Sequence, residues 1–152
     1  MKWFAERGHA VTGIDRSPDA VSAAASFGEV ILADIENNAW PLTRGAQVRQ
    51  FDAVVVTNYL WRPLFPRIAQ SLAPGGVLLY ETFAKGNETV GRPSRPDFLL
   101  QPAELLLTFG GMRVVAFEEG FLENPPRFVQ RLAAIQGDSK AEAGQAPKRF
   151  PL

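Results

Sequence analysis

Four side chains stand where short apolar runs give way to loops, and their types limit the chemistry open to them: Asp15, Asp34, Asn58 and Glu81. A carboxylate such as Asp15, closing residues 10–15, can accept two hydrogen bonds from the vicinal hydroxyls of a ribose. It can equally be a plain acid ahead of a helix, favoured by the helix dipole and by the Ser17-Pro18 start that follows. Asp34 closes residues 29–34, nineteen positions later. There a carboxylate can accept from the exocyclic amine of adenine while Ile35 packs on the ring, or it can remain a solvated loop acid. Asn58, followed by Tyr59, can line a substrate pocket or make an Asx-turn that starts a helix. Tyr80 and Glu81 hold the same position one apolar run further on, with the same two readings.

The elements that would position these residues can be read from punctuation and pattern. Residues 1–7 read as the end of a helix closed by Gly8 in a left-handed conformation. Residues 10–15 form a β-rich run, and Ser17 then caps a helix with Pro18 at its first position, continuing to residue 26 and closed by Phe27-Gly28. Residues 29–34 are the next strand, and 36–50 a loop with room for a short helix. The unbroken apolar centre of residues 51–58 suits a parallel strand covered on both faces. A helix over 63–71 leads through a turn at Pro74-Gly75-Gly76 into a strand over 77–82.

Residues 84–96, rich in Gly, Asn, Arg and Pro, read as a loop and as the cover on the substrate side. A helix over 101–109 begins around Pro102 and ends at Gly110-Gly111. Residues 112–121 and 128–135 are two further strands whose short linker favours antiparallel pairing. The fold class expected is α/β, a doubly wound Rossmann-like sheet, mostly parallel with one antiparallel edge strand. One domain spans residues 1–136, and the tail from 137 to 152 is expected to be disordered.

Composition removes several classes of function. Sixteen Lys and Arg balance sixteen Asp and Glu, so nothing at whole-chain level draws the protein to nucleic acid or an anionic membrane. With no cysteine, disulfides, thiolate metal sites and cysteine nucleophiles are excluded. The single histidine, His9, sits at a helix-to-strand turn and reads as structural or solvated; no carboxylate cluster is spaced to hold a metal. No apolar run is long enough to span a bilayer and no secretory h-region opens the chain, so a cytoplasmic location is the default expectation.

The run from Trp3 to Asp15, together with Leu32-Ala33-Asp34-Ile35, residues 51–60 and residues 72–81, resembles class I S-adenosylmethionine-dependent methyltransferases. It is most similar to the small bacterial group that includes the tellurite-resistance methyltransferases. The resemblance covers about residues 3–135 and implies S-adenosylmethionine as cofactor. It implies a cofactor-binding set of Asp15, Arg16, Asp34, Ile35, Asn58 and Tyr59, with Asp15 on the ribose and Asp34 on adenine. The implied reaction is in-line methyl displacement onto a small-molecule acceptor, in which alignment carries much of the acceleration and no dedicated base is required. No catalytic residue and no acceptor are singled out. Two rivals stand beside it: a nicotinamide-dependent oxidoreductase, and a non-catalytic binding or scaffold domain.

Family members carry a strand and a Gly-x-Gly-type loop upstream of the helix that residues 1–7 match. The expectation is a start placed too far downstream, a natural fragment or a non-catalytic variant, with the mid-helix start favouring the first, and an impaired activity. The strand concerned is the central one, between those ending at Asp15 and Asn58. Those two strands are therefore expected to pair directly, to recruit a strand from another copy in a homodimer, or to leave the chain unstable.

Overall fold

The structure, a computed structural model, describes residues 1–137. The expectation for the tail beyond Gly137 therefore lies outside the described residues. The chain divides after Gln47 into two units, each with its own strands.

In the first unit, helix α1 is a single turn, Lys2–Ala5, with no side-chain cap at its start. Gly8, at φ +82°, ends the turns that follow it, as a left-handed glycine should. Strand β1, Thr12–Asp15, runs parallel to β2, Glu29–Leu32, with Asp15 opposite Leu32. Between them lies helix α2, Pro18–Ala24, extended by a 3-10 turn at Ala25–Phe27. Ser17 Oγ accepts from the Ala20 N–H at the start of α2, with Pro18 at the first turn. Gly28 is required where the chain turns into β2: its φ is +150°, and a Cβ there would lie 2.2 Å from the Val11 carbonyl oxygen.

Both strands are shorter than their apolar runs, and Asp34 lies two residues past the end of β2. The loop expected over 36–50 contains no helix. It holds two very short strands instead, β3 (Thr43–Arg44) and β4 (Gln47–Val48), turning at Gly45 with φ +62°. A left-handed glycine in a two-residue connection makes a hairpin, not a helix.

The second unit is built on a four-stranded sheet in the order β5-β6-β8-β7. Strand β5, Phe51–Thr57, is parallel to β6, Leu72–Phe83. Helix α3, Phe65–Gln70, joins them after a 3-10 turn at Arg62–Leu64. The pairing slips between Phe51 and Ala53, so Pro74-Gly75-Gly76 bulges out where a turn was expected. A Cβ on Gly76 would lie 2.8 Å from the Ala73 carbonyl oxygen, which fixes glycine at that crossing.

Helix α4, Glu104–Thr108, leads into β7, Arg113–Glu123, which turns tightly into β8, Pro126–Ile135. That hairpin is antiparallel, as its short linker favoured, and closes one edge of the sheet; β8, the reversed strand, lies between β6 and β7. Helix α4 starts two residues later than Pro102 suggested, because Ala103 is left-handed at φ +57°. The fully buried Gln130 replaces an ordinary cap there, accepting from Leu105 N–H at 3.0 Å and donating to Gln101 C=O at 2.6 Å.

The core of this unit lies on one face of the sheet. Leu78, Tyr80, Leu132 and Ala134 are buried there with Ile68 of α3 and Leu105 of α4. Phe65, Tyr80 and Phe109 meet edge to face or tilted, with ring centroids 5.5 to 6.2 Å apart. The expectation that β5 is covered on both faces is corrected. Val55 is 45% exposed and its partner Leu79 38%, because α3 and α4 cover only the other face and β5 is an outer strand of its sheet. Within the units, β1 bonds to β2, and β5 to β6.

Candidate functional site

In the first unit the structure brings Asp15 and Asp34 to the same end of a parallel pair. The Ala33 N–H donates to the Asp15 carbonyl at 3.0 Å, so Asp34 stands one residue beyond the last bond that ties β2 to β1. Asp15 is exposed, with Oδ1 accepting from the Ser17 N–H at 2.8 Å. A carboxylate offers about four acceptor positions, so that turn leaves room for a diol. Asp34 is drawn further into its own turn. Its Oδ1 accepts from the N–H groups of Glu36 and Asn37, and its Oδ2 from Asn37 Nδ2 at 2.8 Å.

The Asn37 amide, then the Glu36 N–H and, more weakly, the Arg16 charge hold the Asp34 carboxyl below its ordinary pKa. It is therefore ionised at neutral pH and acts as an acceptor only. Arg16, exposed beyond β1, is near enough to be felt there, and Ile35 is half-buried beside Asp34.

In the second unit, Asn58 follows β5 directly and takes a left-handed conformation, φ +54°, which Asn tolerates better than most residues. Its N–H donates to the Glu81 carbonyl at 2.9 Å. Tyr59 is half-buried, and its carbonyl accepts from the Tyr80 hydroxyl at 3.0 Å. Burial pushes the Tyr80 hydroxyl well above the ordinary tyrosine pKa, so it remains a donor throughout the neutral range. The segment after β5 is thus held from beneath by a buried tyrosine.

Glu81 is committed elsewhere. Its Oε1 meets Arg127 at 3.2 Å and its Oε2 Arg131 at 2.7 Å, while Arg131 also reaches Glu118 at 3.2 Å. The hydrogen bonds that Arg131 donates to Glu81 and then to Glu118 raise its pKa. Of the two strand-end readings for Tyr80 and Glu81, these partners favour the structural one. His9 is exposed on its turn, with its ring 6.1 Å from that of Phe4. Among the described residues no group of His, Asp and Glu is placed to hold a metal ion, and no helix is long and apolar enough to cross a membrane.

Two residues escaped the sequence reading. Asn87, within the 84–96 loop, is buried; its Nδ2 donates to the Pro93 carbonyl at 2.9 Å and its Oδ1 accepts from the Phe128 N–H at 3.2 Å. Arg62 meets both carboxylate oxygens of Glu104, at 2.6 and 2.9 Å. Both partnerships span about forty positions, and nothing local in the sequence announces them.

Comparison with solved structures gives the architecture a name. TehB from Haemophilus influenzae matches at a TM-score of 0.67 and 17% identity over 88% of this chain, which spans 52% of TehB. The 1,6-didemethyltoxoflavin-N1-methyltransferase of Burkholderia thailandensis, with S-adenosylhomocysteine bound, matches at 0.61 and 15% identity, over 90% of this chain and 65% of its own. The [4+2]-cyclase SpnF matches at 0.59 and 15% identity, over 84% of this chain and 66% of its own. No family model matches the chain, and no curated protein matches it by sequence. At these identities it is the fold that is shown. The chain has the mixed α/β, mostly parallel architecture of S-adenosylmethionine-dependent methyltransferases, with an antiparallel edge.

Proposed function

We propose that this chain belongs to an S-adenosylmethionine-dependent methyltransferase acting on a small-molecule acceptor. The observation that carries the reading is the placement of Asp15 and Asp34 at the carboxyl ends of adjacent parallel strands, in a fold that methyltransferases use. Ligands of open α/β sheets sit beyond that end. Asp15 is exposed and able to accept from a ribose diol; Asp34, held ionised by its turn, is able to accept from the adenine amine. Arg16 and Ile35 flank the two acids, with Ile35 offering an apolar contact to the base. For Asn58 and Tyr59 a cofactor role rests on the sequence resemblance alone.

Bound there, S-adenosylmethionine would supply an electrophilic methyl group on a sulfonium. The protein's part is to align donor and acceptor, and no side chain is assigned as a base. Calorimetry with S-adenosylhomocysteine and, separately, with NAD tests the assignment. Binding of the first alone supports it, binding of NAD points to an oxidoreductase, and binding of neither removes both. SpnF favours a second reading, since a chain of this fold is named for a cyclisation and not a methyl transfer. On that reading the nucleoside would bind without methyl turnover.

We also propose that the outer edge of β5 pairs with a second copy of the chain. Asp52 is the only charge on that strand, so antiparallel self-pairing sets no like charges opposite one another. The other outer strand, β7, carries Glu118, Glu119 and Glu123, which discourage the same contact.

A further inference from the structure

Asp15 and Asp34 stand at the same end of one parallel pair, yet they keep different amounts of acceptor capacity. A carboxylate has about four acceptor positions. Asp15 uses one, on the Ser17 N–H at 2.8 Å. Asp34 uses three: its Oδ1 accepts from the Glu36 N–H at 3.0 Å and the Asn37 N–H at 3.2 Å, and its Oδ2 from Asn37 Nδ2 at 2.8 Å. Asp15 is thus left with room for both hydroxyls of a diol, and Asp34 with room for one donor.

The three bonds to Asp34 come from residues close by, but their roles differ. The chain makes a single turn here, with the Asn38 N–H donating to the Asp34 carbonyl at 3.0 Å. That turn aims the Glu36 and Asn37 N–H groups at Oδ1, and a short polar side chain of several kinds at position 34 would satisfy them. No backbone bond of the turn involves the Asn37 side chain. It is exposed, and it reaches back over three residues to the second oxygen. With both oxygens held, the carboxylate plane is fixed and so is the direction of the remaining lone pair on Oδ2. The same amide is the largest cause of the lowered Asp34 pKa, which keeps the group an acceptor. All of these residues belong to the first unit.

We infer that Asn37 is a positioning residue for the purine: by fixing the free lone pair of Oδ2, it makes Asp34 a reader of the exocyclic amine. The inference rests on the nucleoside-binding reading of Asp15 and Asp34, and it adds a specificity to it. A 6-amino purine presents a donor to that lone pair. A purine without the amine presents only a C–H, and the ionised oxygen facing it goes unpaired.

Calorimetry on the full chain tests this with S-adenosylhomocysteine and with its analogue carrying unsubstituted purine in place of adenine. The wild type should prefer the amino compound by about tenfold or more, the worth of one charge-assisted hydrogen bond. In Asn37→Ala that preference should fall to about threefold or less, with affinity for the purine analogue within about twofold of wild type. A collapsed turn would instead weaken both ligands together, so the ratio separates positioning from a merely structural role. Asn37→Leu, of similar size but without the donor, carries the test if the alanine variant does not fold. Asn37→Ser, which keeps a donor, should retain an intermediate preference. Asn38→Ala, on the same exposed turn, should keep the wild-type one. An unchanged preference in the Asn37 variants, equal weakening of both ligands, or a wild type indifferent to the amine overturns the inference alone. A wild-type chain that binds neither compound overturns the nucleoside reading, and the role of Asn37 with it.

Discussion

The hydroxyl of Tyr80, buried in the helix-covered face of β6, donates to the carbonyl of Tyr59 just beyond β5, at 3.0 Å. A side chain of one strand thereby sets the backbone path after its neighbour. Tyr80→Phe should cost about 1 kcal/mol, the net worth of a hydrogen bond, seen as a lower urea midpoint. The pH dependence follows from the raised pKa of Tyr80. Its stabilisation is full below the unfolded tyrosine pKa, about 10, and is lost as pH rises above it, since only the unfolded chain then releases the proton. The wild type should therefore lose stability above pH ~10 more steeply than Tyr80→Phe. Equal slopes would place Tyr80 outside the core.

Asp34 offers a titration that can be followed directly. Its pKa is lowered chiefly by the Asn37 side chain, so Asn37→Ala should move it up toward the ordinary aspartate value, read by carboxyl NMR. A lowered folded pKa contributes stability above the unfolded value that is lost as pH falls through the folded one. The variant should accordingly show less dependence of stability on acid pH than the wild type.

On the methyltransferase reading, Asp15→Ala should lower S-adenosylhomocysteine affinity by about tenfold or more, because the bonds lost are charge-assisted ones. Asp19→Ala, on the exposed first turn of α2, is the control. Equal affinity for the wild type and Asp15→Ala would remove Asp15 from the site.

Gly28 and Gly111 make a matched pair. Gly28→Ala places a Cβ against the Val11 carbonyl in a left-handed backbone and should destabilise by about 1–3 kcal/mol. Gly111→Ala meets nothing within 4 Å and should stay within about 0.5 kcal/mol of wild type in the same denaturation experiment.

Two leucines of α4 should diverge as sharply. Leu105 is 0% exposed and its truncation to alanine should cost about 2–5 kcal/mol, whereas Leu107, 77% exposed, should be almost neutral. Thermal unfolding of both variants measures the difference.

The proposed pairing of β5 with a second copy predicts a concentration-dependent dimer in sedimentation. Asp52→Lys leaves a single charge on the strand and should not weaken it, but Val55→Lys, at an exposed apolar position, should return the chain to monomer. A monomer at every concentration tested would exclude the pairing.

Much of the chain was legible from its residues because the signals are local. Ser17-Pro18 starts a helix through a side-chain oxygen and a fixed φ, both carried within three residues. The short link at Asn124-Pro125 leaves a hairpin as the only geometry for β7 and β8. Gly8 closes its turn for the same kind of reason. The positions of Asp15 and Asn58 at strand ends were readable too, since each follows an apolar run, while Asp34 falls two residues past the end of β2.

Non-local terms decided the rest. The apolar run of β5 could not reveal that helices cover one face only, because coverage belongs to the helices and not to the strand. Residues 43–48 turned into a hairpin on the conformation of one glycine. Whether a strand-end acid is free or committed proved equally invisible: Asp15 stays exposed, while Glu81 is taken by two arginines from β8.

The opening residues thus divide along a physical line. The sequence alone determined which side chains reach the strand ends, since alternation and capping act within a few residues of each. Only the tertiary structure decided which of them are committed to partners. The bonds of Arg62 to Glu104, Asn87 to Phe128 and Arg131 to Glu81 join residues about forty to fifty apart, and become favourable only after the core has folded beneath them.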